Sequence, residues 1–107
     1  MSPGTSSAFD AEMDEGMARM MRDMHAPGAT GNPDIDFLAM MIPHHAGAVA
    51  MARALLRHGR DEATRRLAED IIASQTIEIE GMQRRLATLR QPGRGPEFPA
   101  LGGTRGP

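Results

Sequence analysis

Residues 40–51 read MMIPHHAGAVAM, a proline and two adjacent histidines set inside an apolar run. Proline in a helix interior forfeits a hydrogen bond and clashes with the preceding turn, at a cost of about 3 kcal/mol. Imidazole is ill suited to a packed core unless its nitrogens find partners. The wider run, 37–52, FLAMMIPHHAGAVAMA, carries no charged residue. Its pattern predicts a helix starting near Asp34, capped by Asn32 or Asp34 and ending at Gly59, with His58 complementing the helix dipole in the last turn. Such a helix is apolar nearly all round, whereas a helix with only two neighbours should keep a polar face, so something else should cover it. Pro43 should bend it and leave the Ala39 carbonyl without a donor.

The flanking sequence supplies the neighbours. Upstream, Phe9, Met13, Met17, Met20 and Met24 recur at steps of four and three, which predicts an amphipathic helix over 7–24 with Ser7 as N-cap. Its other side is charged and includes a Glu15–Arg19 pair. HAPGATGNP is a loop. Downstream, a third helix is predicted over 61–90, about 43 Å long. Glu62–Arg66, Arg65–Glu69, Arg66–Asp70 and Glu80–Arg84 pairs should lace its outer face. Its inner stripe should read Leu67, Ile71, Gln75, Glu78, Met82, Leu86 and Leu89, which buries a carboxylate that needs a partner. Short connections make successive helices antiparallel. The fold class is therefore all-α, an antiparallel helical bundle with three main helices per chain over 7–90. Helix 2 lacks a polar face, so a second copy is expected to complete the bundle as a homodimer or higher oligomer.

Composition narrows the function. The chain has 107 residues, a net charge of −2 with both signs interspersed, and only Arg among its basic residues. That is no nucleic-acid footprint. Residues 91–107 hold nine Pro or Gly and are expected to form a disordered tail. Cysteine is absent, which excludes disulfides, thiolate metal sites and thiol nucleophiles. The N-terminus lacks the apolar segment of a signal peptide, and the run 37–52 is too short to span a bilayer, so a soluble chain is expected. No Ser/His/Asp grouping or phosphate loop is present, so no enzymatic activity is expected. Ten Met stand against three Phe, with no Trp or Tyr.

An antiparallel hairpin turning at Gly59 and Arg60 pairs positions whose numbers sum to about 119. His45 then lies level with Ser74, His44 with Gln75, Met41 with Glu78 and Phe37 with Met82. The same construction for helices 1 and 2, with a sum near 59, brings Met13 and Met17 level with Ala46 and Ile42. His44 shares a helix face with Met40 and Met51, and His45 with Met41. Thioether and imidazole together select Cu(I) and, by the same softness, Ag(I). Thioethers also carry no proton to displace in acid. Zinc prefers Cys, His and carboxylate, and the Glu-x-x-His motifs of di-iron bundles are missing. The candidate metal-site residues are His44, His45, Met40, Met41, Met51, Glu78, Met82, Gln75, Met17 and Met13. The residues leave a second reading open, in which a satisfied His–Gln–Glu network specifies the core of a non-catalytic interaction module and Met is filler.

The stretch DIDFLAMMIPHHAGAVAMAR, followed by IIASQTIEIEGM, resembles the family called domain of unknown function 305. The resemblance covers residues 34–89 and falls on Asp34, Phe37, Met40, Met41, Pro43, His44, His45, Gly47, Met51, Gln75, Glu78 and Met82. Two positions depart: Ala46 stands where the family usually has a polar residue, and Arg85 where Trp is common. The resemblance implies a ferritin-like bundle and, from CopM-like, Met-rich, exported members, copper or silver binding in the periplasm or outside the cell. Helix 1 lies outside the stretch that carries it.

Overall fold

The computed structural model describes residues 7–91, and the expected tail from residue 92 onward lies outside them. Three helices form, α1 (Ala8–His25), α2 (Pro33–His58) and α3 (Glu62–Leu89), with no strand among the described residues. Each start is fixed by a local cap. Ser7 Oγ accepts from the Asp10 amide at 3.0 Å while Asp10 accepts from the Ser7 amide, a reciprocal box. Asn32 accepts from the amides of Asp34 and Ile35, ahead of Pro33 in the first turn. Asp61 accepts from both the amide and the hydroxyl of Thr64. Gly59 ends α2, although not through a left-handed backbone, since its φ is −81°. A Cβ there would stand 2.7 Å from Leu55 Cδ2 and 2.9 Å from the Leu55 carbonyl oxygen, so crowding is what calls for glycine.

Both outer helices pack on α2, antiparallel to it, and do not pack on each other. The result is a layer one helix thick, 15 Å along its shortest axis. Alanine and glycine dominate what is buried: Ala39, Gly47, Ala52 and Ala54, with Val49, on α2, Ala68 and Leu86 on α3, and nothing on α1. At Gly47 the missing side chain admits Met20, because a Cβ would stand 2.5 Å from its sulfur. The helix is unbroken through Pro43. Over all 26 residues, α2 is long and apolar enough to cross a bilayer by length and composition, which the shorter run 37–52 is not. In this fold its apolarity also serves two flanking amphipathic helices.

The expected registers are displaced. His45 lies opposite Glu78 rather than Ser74, a shift of about one turn. The cause is Arg65, whose guanidinium donates to the carbonyls of Leu56 and Gly59 at 2.7 and 2.9 Å and locks the start of α3 onto the end of α2. Arg65 is therefore unavailable to pair outward with Glu69, and of the four expected α3 pairs only Glu62–Arg66 forms among the described residues. The α1–α2 register moves about two turns. Thr30 donates to Asp36 through its amide and hydroxyl, folding the 26–32 loop back along the first turn of α2. Met20 therefore reaches Gly47, whereas Met13 and Met17 lie further along, away from the histidine level. On α3 the inner stripe is turned by one residue to Ala68, Ile72, Gln75, Ile79, Met82 and Leu86, leaving Leu67 and Ile71 exposed.

These packing relations give opposite expectations for two glycines. Gly16→Ala should stabilise by about 0.5–1 kcal/mol, since helix interiors favour Ala and the new Cβ meets only Ala50 Cβ at 4.0 Å. Gly47→Leu should destabilise by about 1–3 kcal/mol through overpacking. Urea denaturation at a fixed protein concentration checks both.

Candidate functional site

Turning each helix by 100° per residue from its observed contacts shows how the layer distributes its chemistry. Met13 and Met17 of α1, Phe37, Met40, His44 and Met51 of α2, and Leu67, Ile71 and Glu78 of α3 fall on one side. Glu15, Arg19, Arg53 and Arg57 fall on the other. Within the first side the candidate ligands divide into two sets. Met41, His45, Gln75 and Met82 are half-buried along the α2–α3 seam, where the observed register sets Met41 level with Met82. Met40 and His44 are exposed on the open side of α2, with Met51 half-buried beyond them. The two imidazoles lie 6.0 Å apart between centroids, tilted by 58°.

His45 is the best-defined member. Its Nε2 lies 2.7 Å from Glu78 Oε1, and because a carboxylate can only accept, Nε2 carries the proton. In the neutral ring Nδ1 is then the lone-pair nitrogen. That atom is buried and has no hydrogen-bond partner among the described residues. Glu78 itself is 58 % exposed, against the expectation of a buried carboxylate, while the His45 side chain is 14 % exposed. Glu78 reaches the ring from the rim of the seam, because α3 is turned away from the expected stripe. Gln75 remains half-buried on that seam.

A second polar cluster escapes sequence reasoning altogether. Glu12 of α1 accepts from Arg57 Nε at 2.9 Å and lies 2.7 Å from His58 Nε2, while Phe9 meets the His58 ring edge-on at 6.1 Å. His58 thus clamps α1 to the end of α2, rather than only complementing the dipole. No periodicity signals a contact between residues so distant in the chain. The Arg57 hydrogen bond, then that of His58, holds the Glu12 carboxyl down from 4.5 to about 2.

No three His, Asp or Glu side chains converge on a metal-sized site among the described residues. A site built on His45 would therefore have to be completed by thioethers. A family profile described as a domain of unknown function, DUF305, matches residues 1–86. The chain belongs to the DUF305 family. No curated protein matches it. The DUF305 match takes in α1 as well as the stretch 34–86, so the Met stripe of α1 lies within the family's domain rather than beside it.

In this DUF305 chain the Glu12 clamp makes acid stability testable. A carboxylate whose pKa is lowered on folding contributes stability fully present above its unfolded value near 4.5 and lost as pH falls toward 2. Glu12→Gln should therefore be less stable than the parent at pH 7, and the difference should shrink through that window. Asp36 and Asp61, also lowered by their Thr hydrogen bonds, should keep some acid sensitivity in both proteins. Denaturation midpoints at pH 7, 4 and 2.5 check it. Glu78→Ala removes a half-exposed partner and should cost no more than about 1 kcal/mol.

Proposed function

We propose that this chain binds a soft monovalent cation, Cu(I) or Ag(I), through methionine sulfur and imidazole, as an extracytoplasmic protein that sequesters, buffers or delivers copper and catalyses no reaction. The observation that carries the reading is the buried, unpartnered Nδ1 of His45, with Glu78 holding the opposite ring nitrogen. A carboxylate that fixes tautomer and ring orientation is the usual support of a ligating histidine. Left without a donor, a buried acceptor costs about 1–3 kcal/mol. A soft cation would relieve that cost.

The surrounding donor set suits the same ion. Met41 and Met82 lie at one level of the seam, a helical turn from His45 and Glu78 respectively. Met40, His44 and Met51 share the adjoining open side of α2. Thioethers add affinity for Cu(I) or Ag(I) while offering little to Zn²⁺. They also resist protonation and disulfide loss, which fits an oxidising compartment.

Competition titration with a Cu(I) chelator tests this reading, with Zn²⁺ as control. Met→Leu at Met40, Met41 and Met51 roughly conserves volume and should change stability by less than about 1.5 kcal/mol per site. It should weaken Cu(I) binding at least tenfold. Protons compete for imidazole between pH 7 and pH 5 but not for sulfur, so binding retained by the parent at pH 5 should vanish in the triple variant. Equal Cu(I) affinity in parent and variant at both pH values would leave the His45–Glu78 pair as a purely structural feature.

A further inference from the structure

We infer that the methionine-bearing side of the layer is an interface between two copies of this chain, and that the soft-metal donor set is completed across it. The second clause rests on the function proposed above; the first does not. Met17, Phe37, Met40, Leu67 and Ile71 are all at least 39 % exposed, and Phe37 reaches 55 % and Leu67 61 %. They come from all three helices and fall on one side, whereas the other side carries Arg19, Arg53 and Arg57. A single layer has no second layer to bury such a face, and large apolar patches on a monomer mark a binding surface.

The size of the face identifies the occupant. Helices of 18, 26 and 28 residues, laid about 9 Å apart with a rise of about 1.5 Å per residue, present on the order of 900 Å². A stable interface needs about 800 Å² per partner. The segment 92–107 is the rival cover within the chain. Its apolar side chains other than proline are only Phe98, Ala100 and Leu101, too few to span three helices. A second copy brings an equal and self-complementary face. It also brings a second Met40 and His44 to the same interface, adding donors where no three His, Asp or Glu side chains of one chain converge among the described residues.

Sedimentation equilibrium and far-UV circular dichroism of the metal-free full chain at micromolar concentration test the interface. The expected result is a dimer. Phe37→Glu with Ile71→Glu, at two exposed positions, should give a monomer that keeps the parent's helicity. Phe98→Ser with Leu101→Ser should leave the dimer unchanged. A monomeric parent would overturn the inference, as would a doubly substituted Glu variant that is folded and still dimeric. A parent monomer that dimerises when Phe98 and Leu101 are substituted would also overturn it, in favour of the tail. Cu(I) titration then separates the two clauses. The monomeric variant should bind at least tenfold more weakly than the parent. Equal affinity would overturn the shared site and leave the soft-metal reading standing, and a dimeric parent that binds no Cu(I) would overturn that reading and leave the interface.

Discussion

Among the described residues, every contact between helices passes through α2. The outer helices meet it on opposite flanks and never meet each other, so the packing of α1 and α3 depends on how closely each approaches one central helix. That approach is set by small residues. Ala39, Gly47, Ala52 and Ala54 are buried, and Met20 occupies the space that a side chain at Gly47 would fill. The same economy explains the thin core. Burying mostly methyl groups yields little hydrophobic free energy, at a rate on the order of 25 cal/mol per Å² of apolar surface, and among the described residues no large side chain is fully buried.

Polar links at the ends of α2 compensate by fixing register rather than by adding bulk. Arg65 caps the last carbonyls of α2 while starting α3, and Glu12 joins α1 to Arg57 and His58. Once these are set, the middle of α2 has no freedom left. His45 faces Glu78, and its other nitrogen is buried without a hydrogen-bond partner among the described residues. The unusual stretch around Pro43 is tolerated because it sits where two antiparallel neighbours already hold the helix on both sides.

Much of this was legible in the sequence, and the boundary between what was and what was not is physical. Ser7, Asn32 and Asp61 announce their helices because a cap is local, made between residues two or three apart. The convergence of histidine, Glu78 and several methionines on the α2–α3 seam was also readable, within a turn. Register was not, because it depends on Arg65, Glu12 and the Thr30–Asp36 link, whose partners no spacing rule reveals. The inner face of α3 was ambiguous for a different reason. Leu67 and Ile71 stand one residue from Ala68 and Ile72, so two neighbouring apolar stripes compete, and only the hold of Arg65 selects between them. Burial of Glu78 failed with that choice. Membership in the DUF305 family was readable from the histidine stretch and the later Gln and Glu, although α1 lay outside the stretch that carried the resemblance and is taken in by the family match.

The chemistry now turns on two nitrogens of one ring. Nuclear magnetic resonance of the chain labelled in imidazole nitrogen and methionine methyl carbon, titrated with diamagnetic Ag(I), reads it most directly. In the metal-free protein, His45 Nδ1 should be unprotonated. On addition of Ag(I), that nitrogen and the methyl groups of Met40, Met41 and Met51 should shift together, while Met21 on the far flank of α1 stays still. A proton on His45 Nδ1, or imidazole and methyl resonances that do not move with Ag(I), would contradict the proposed site.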